Sequence, residues 1–301
     1  MKGFFVCLCL LLCGIASFAQ TSFYSETPEA KHWVDSVYKS LSKEQRIAQL
    51  MVVRLSTRNP DGSAKFFDDI VTAQIKKYNI GAICLFQGNP VAQATFVNNF
   101  QRMAKTPLMI CIDAETGVGM RMYDSVMKFP DQLTMGALND ASIVYKVGKA
   151  MGEQCKRAGI QVDYAPVVDI NNNPDNPVIG YRSFGEDKYK VALYGTKIMQ
   201  GLQDEGVMAT AKHFPGHGDV SVDSHLDLPV INKSKAQLDS LELYPFRQLF
   251  QAGVGSVMIA HLSIPAIDTT TQQPTSLSKN NVTGLLRNEM GFKGISFTDA
   301  L

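Results

Sequence analysis

The octapeptide Val207-Met208-Ala209-Thr210-Ala211-Lys212-His213-Phe214 is almost wholly apolar for five residues and then sets two ionisable side chains side by side at its end. A strand covered on both faces has this near-continuous apolar character, without the alternation of a half-exposed sheet. The same form recurs at residues 50–55, 81–86, 107–113, 160–170, 255–261 and 294–301. Segments of helical periodicity lie between these runs, at 65–78, 91–104, 142–158, 187–203, 235–251 and 279–290. Ahead of the first run, Ser42-Lys43-Glu44-Gln45 has the spacing of a capping box, so one entry helix precedes a series of strand–helix steps.

Two α/β architectures fit this rhythm, an open doubly wound sheet and a closed (β/α)₈ TIM-type barrel. The first strand run ends in Arg54-Leu55-Ser56-Thr57, unlike the glycine-rich phosphate turn of a dinucleotide fold. Polar residues instead close many different runs: Asp113, Asp169, Lys212 with His213, His261 and Asp299. A barrel brings all of its strand ends to one mouth, so the barrel is expected. Only seven strand runs are found where closure needs eight, and the sequence stops two residues after Asp299. The chain is therefore read as an N-terminal piece of a longer protein, cut before the last strand and helix.

Residues 4–15 form an apolar run behind Lys2, too short for a comfortable membrane span. Ser17-Phe18-Ala19 then offers small residues where a signal peptidase reads, so residues 1–19 are expected to be a signal peptide and 20–301 the barrel domain of an exported, periplasmic or envelope-associated protein. Lipidation at Cys13 is disfavoured by Leu12 before it. Three cysteines leave with the signal; Cys84, Cys111 and Cys155 have no metal-type spacing, and Cys84 and Cys111, within apolar runs, read as buried small hydrophobes. With 45% hydrophobic residues, a large core and not a disulfide framework must hold the fold. Basic and acidic side chains number 29 and 28, which gives no electrostatic case for nucleic acid or an anionic membrane.

The densest polar stretch is Lys212-His213-Phe214-Pro215-Gly216-His217-Gly218-Asp219, followed by Asp223-Ser224-His225. His213 and His217 have the i, i+4 spacing of a zinc helix, but Pro215 and Gly216 break any helix and no Glu follows the first His, so no metal is expected. Histidines that hydrogen-bond within a loop are the plainer reading. In extended chain Asp223 and His225 point the same way, and a carboxylate there would fix the imidazole tautomer and favour its protonated form. A D-x-H pair also arises by chance. No G-x-S-x-G elbow supplies a serine partner. Asp299 ends an apolar run either as a nucleophilic carboxylate or as a helix cap, and the residues alone leave both open.

The stretch from Lys212 to His225, KHFPGHGDVSVDSH, closely resembles the signature loop of family 3 glycoside hydrolases of the β-N-acetylglucosaminidase subgroup. The resemblance extends through Ile112-Asp113-Ala114-Glu115, Val168-Asp169-Ile170-Asn171, Arg182-Ser183-Phe184-Gly185, Ala260-His261 and Phe297-Thr298-Asp299. It implies a (β/α)₈ barrel and a retaining exo-β-N-acetylglucosaminidase that needs no cofactor and acts on GlcNAc-containing glycans of the peptidoglycan type. By the resemblance Asp299 is the nucleophile, and His225, oriented by Asp223, is the acid/base in place of the usual second carboxylate. Asp113, Arg121, Arg182, Lys212 and His213 would hold the terminal GlcNAc. One departure stands out: Ala114-Glu115-Thr116-Gly117-Val118 follows Asp113 where the family usually runs Q-E-G-G-R, which bears on the shape of that loop. A β-glucosidase, a GlcNAc phosphorylase and a non-catalytic sugar-binding fragment are the alternatives. A histidine base would repel an anionic acceptor less than a carboxylate would.

Overall fold

Ser42 begins the fold as its spacing predicts. Its hydroxyl accepts the Gln45 amide at 3.2 Å, and the Gln45 side chain accepts the Ser42 amide at 3.1 Å. The structure is a computed structural model and describes residues 23–24, 26–222 and 227–300. The expected signal segment, with Cys7, Cys9 and Cys13, and the proposed dyad Asp223 and His225 lie outside the described residues.

In chain order the elements are α1 (Pro28–Ser40), α2 (Lys43–Ala48), β1 (Val52–Arg54), the hairpin β2 (Ser56–Arg58) and β3 (Ala64–Phe66), α3 (Asp68–Tyr78), β4 (Ala82–Leu85), α4 (Pro90–Met103) and β5 (Met109–Ile112). Then follow α5 (Gln132–Gly136), α6 (Ala141–Arg157), β6 (Val162–Asp163), α7 (Lys188–Asp204), β7 (Met208–Phe214), α8 (Lys235–Ser240), α9 (Leu243–Gln251), β8 (Ser256–Ile259), a π-helical segment Asn280–Glu289 and β9 (Ile295–Thr298). Seven strands form one parallel sheet in the order β1-β4-β5-β6-β7-β8-β9. Among the described residues β1 and β9 are its two unpaired outer strands.

The sheet curls. Tyr164, just past β6, and Phe297 on β9 are three strands apart in the order, which in a flat sheet is about 14 Å, yet their rings lie 5.1 Å apart. Curling splits the core in two. A small cluster of Ala82, Cys84, Cys111, Val162, Tyr164, Met208, Met258 and Phe297 fills the inside of the curl. A larger one, with Ile83, Ile110, Ala209, Ala211 and Val257 among its strand residues, packs the outside of the sheet against the helices. Cys84 and Cys111 are free and buried, as expected of small hydrophobes, and so is Cys155. At the floor, where the strands begin, Phe23 and Tyr24 pack against the inner cluster, and the Tyr24 hydroxyl donates to the Gly255 carbonyl at 2.9 Å.

Five segments depart from the sequence reading, the first being α1, a second helix ahead of the capping box where one entry helix was expected. Residues 56–66 make a hairpin turned by Asp61 and Gly62, so the expected helix at 65 begins only at Asp68. The run 160–170 keeps just two strand residues, because Pro166 has no amide to donate, and the ladder resumes as a single bridge between Val167 and Lys212. Residues 235–251 divide into α8 and α9 at Leu241 and Glu242, because Pro245, in the first turn of α9, has no N–H to offer the Leu241 carbonyl four residues back. The short helix α5 was not expected at all.

Candidate active site

Side chains alternate along a strand, so the inward positions continue upward from the inner core. From Cys111 the next inward position is Asp113, from Met208 it is Thr210 and then Lys212, and from Phe297 it is Asp299. All three lie at the C-terminal ends of their strands, where a curled parallel sheet gathers its polar groups. A register shift between Ala211 and Phe214 then lets His213 reach the same mouth as its neighbour Lys212.

These residues form one connected ionic network. The Lys212 ammonium lies 2.6 Å from Asp113 Oδ1 and 2.7 Å from Glu115 Oε1. Arg121 holds the other Asp113 oxygen at 2.6 Å and donates to the Asp113 carbonyl at 2.6 Å. Arg182 grips Glu115 through two nitrogens, at 2.6 and 3.0 Å, and its Nη2 lies 3.3 Å from His213 Nε2. The opposite ring nitrogen of His213 is 2.7 Å from Asp169, whose oxygens also accept the backbone amides of His213 and His217. The five residues expected to hold a sugar therefore come together.

Asp299 stands beside this network. Its amide pairs with the Ile259 carbonyl at 2.9 Å, its Oδ1 accepts the Ala300 amide at 2.8 Å, and its charge acts on His217. His261 lies over the same strand end, with Nε2 3.3 Å from the Asp299 carbonyl and Nδ1 2.6 Å from the Ser276 hydroxyl.

Two members of the network were not singled out from sequence as site residues, Glu115 and Asp169. Each is buried beneath the residues expected to hold a sugar and pairs with them. A buried acid at a strand end was the available signal, since charges are rarely buried without partners. Asp163 is a third. Its burial pushes its carboxyl well up, and its Oδ1 accepts the Ala114 amide at 3.1 Å and props the turn that presents Asp113 and Glu115.

Burial alone would raise the Asp113 and Glu115 carboxyls. The Lys212 ammonium, with Arg121 for Asp113 and Arg182 for Glu115, outweighs it and holds both below the ordinary range. Lys212 moves the other way: burial would lower it, but Asp113 and Glu115 raise it. The His217 imidazole is lowered by burial and by His213, against the pull of Asp169 and Asp299.

A depressed carboxyl stabilises the fold above its unfolded pKa, and that contribution is lost as pH falls through the folded pKa. Glu115→Gln should therefore be less stable than the parent by about 2 kcal/mol at pH 7. The gap should begin to shrink below about 4.5, where Glu115 of the unfolded chain takes up a proton, and should close as the pH falls toward its lower folded pKa. Urea midpoints of both proteins at pH 7 and pH 3 check this; a gap that stays constant contradicts it.

Lys212 uses two of its donors and each arginine has five, so cations and carboxylates both keep capacity for further hydrogen bonds. An alternation of donors and acceptors at a concave mouth suits a neutral ligand with several hydroxyls.

Residues 42–301 match the glycosyl hydrolase family 3 N-terminal domain. The chain is 34% identical over 249 residues to β-hexosaminidase A of Pseudoalteromonas piscicida, covering 75% of this chain and 42% of that protein. The solved structure of a glycoside hydrolase family 3 β-N-acetylglucosaminidase from Paenibacillus sp. str. FPU-7 superposes with a TM-score of 0.79 at 38% identity, covering 87% of this chain and 49% of that one. A β-glucoside phosphorylase, BglX, solved bound to 2FGlc, superposes with a TM-score of 0.83 at 26% identity, covering 92% and 50%. This chain thus spans about half the length or less of these relatives. The curled sheet described above is the barrel of this fold.

Proposed function

Since the chain belongs to the glycosyl hydrolase family 3 N-terminal domain family, we propose that it forms the catalytic barrel of a retaining exo-β-N-acetylglucosaminidase acting on GlcNAc-containing glycans of the peptidoglycan type. One observation carries the reading: Asp113, Arg121, Arg182, Lys212 and His213 converge on a single mouth that also receives Asp299. The named activities of the relatives support the sugar class.

In this reading Asp299 attacks the anomeric carbon while the His225 imidazolium gives its proton to the departing glycosidic oxygen. The C–O bond breaks and a glycosyl ester forms on Asp299. Neutral His225 then takes a proton from water as its oxygen attacks the same carbon, releasing the sugar and restoring both groups. Asp223 orients the imidazole. Asp113 and Lys212 hold hydroxyls through lone pairs and N–H bonds left over from their own pairing. Export by the segment 1–19 would place the enzyme where cell-wall glycans are met.

The test is release of nitrophenol from p-nitrophenyl β-GlcNAc by the purified chain, compared with the β-glucoside. Turnover of the first well above the second is expected; the reverse preference rejects the assignment. The phosphorylase relative favours one variation, with phosphate as acceptor in place of water. Hydrolysis predicts a rate and a product, free GlcNAc, that do not change when phosphate is added. Accumulation of GlcNAc 1-phosphate would reassign the reaction.

A further inference from the structure

A second concavity lies against the Arg182–Glu115 pair, which lines it. Met120 and Tyr181 give it apolar walls, and Thr116 and Lys128 give it polar ones. Tyr181 is 65% exposed, so its ring is available to a ligand. Thr116 is 5% exposed, and its hydroxyl has no hydrogen-bond partner among the described residues. A buried hydroxyl without a partner is costly.

The lining narrows the class of ligand. An anion would meet Glu115 and Asp131, and a cation would meet Arg182 and Lys128. A purely apolar molecule would desolvate the charged groups of the lining, among them Lys128 and Asp131, without pairing them. A neutral ring with hydroxyls at its edge and C–H bonds on its face meets every wall, because those C–H bonds carry the partial positive charge that an aromatic face attracts.

We propose that this concavity is a second saccharide subsite, which takes the next ring of an oligosaccharide and stacks it on Tyr181. The proposal rests on the glycosidase reading above. Tyr181 and Arg182 are consecutive residues of one tight turn, so the ring that would stack and the guanidinium that meets the first sugar are set by the same backbone. That turn is fixed: the Arg182 amide donates to the Ile179 carbonyl at 2.7 Å, and the buried Gln132 side chain donates to the Arg182 carbonyl at 2.7 Å. A platform already held in place loses little freedom on binding.

The test compares N,N′-diacetylchitobiose, with two rings, and methyl β-N-acetylglucosaminide, with one, as substrates of the full chain. In Tyr181→Ala the ratio of kcat/KM for the two-ring over the one-ring substrate should fall by about tenfold, while Tyr181→Phe, which keeps the ring, should retain the parent ratio. An unchanged ratio in Tyr181→Ala overturns the subsite. If the parent turns over neither substrate, the glycosidase reading fails separately. The subsite is then judged by calorimetric titration with diacetylchitobiose: weaker binding to Tyr181→Ala than to the parent upholds it, and equal or absent binding overturns it.

Discussion

Asp299→Asn should lower turnover of p-nitrophenyl β-GlcNAc on the order of a thousandfold or more, with the thermal midpoint close to that of the parent. The amide is nearly isosteric with the carboxylate, and its oxygen can still accept the Ala300 amide, so the strand end keeps its local hydrogen bond. What disappears is the anionic oxygen that would form the glycosyl ester. Oriented donors and a positioned sugar leave some residual acceleration even without a nucleophile, which is why the expected loss is large but finite. Steady-state rates and a melting curve on one preparation decide the matter. Turnover within a few-fold of the parent would remove Asp299 from the chemistry.

Lys212→Met should cost stability as well as activity. Lys212 is only 2% exposed and sits between two carboxylates, one of them on the 4%-exposed Glu115. Removing one partner of a buried ionic group is far more damaging than replacing the whole group by apolar residues. Asp113 keeps Arg121 and Glu115 keeps Arg182, so the expected penalty is toward the lower end, about 3 kcal/mol. For a chain of this size that corresponds to a fall of about 5 °C in Tm. Adding Glu115→Gln to Lys212→Met removes one of the two stranded charges and should restore part of the loss. A double variant that is less stable than the sum of its single losses would show that the pairing described here is not what stabilises the mouth.

What could be read in the chain follows from the range of the forces involved. The capping box at Ser42 was legible because both of its hydrogen bonds close within four residues. The strand ending at Lys212 and His213 was legible because burial on both faces writes a continuous apolar run. Period and charge placed Asp113, Lys212 and Asp299 at strand ends, but no local rule says which acid meets which base. Glu115 pairs with Arg182 across 67 residues of chain and with Lys212 over the intervening strand β6, and only the curl brings them together. Asp169 was noticed as the end of a run, yet its partnership with His213, 44 residues on, needs the same geometry. The hairpin at 56–66 was missed because its strands are three residues each, too short to show a period. Proline limited β6 and divided α8 from α9 by withholding one N–H each time, a signal that was present but was outweighed by the apolar pattern.

Phe23 and Tyr24 at the floor have a bearing on how this protein can be altered. Met208, which accepts from the Tyr24 hydroxyl, and Lys212, which organises the mouth, are four residues apart on β7, about 13 Å along the strand. The lower end is packed with aromatic rings and sulfur, and the upper end is lined by opposed charges. Groups that far apart with no shared partners contribute to stability nearly independently. The bottom of the cylinder, including the space bordered by Val254 and Phe292, is therefore the place to add robustness by better filling, while the reactive rim is left as it is.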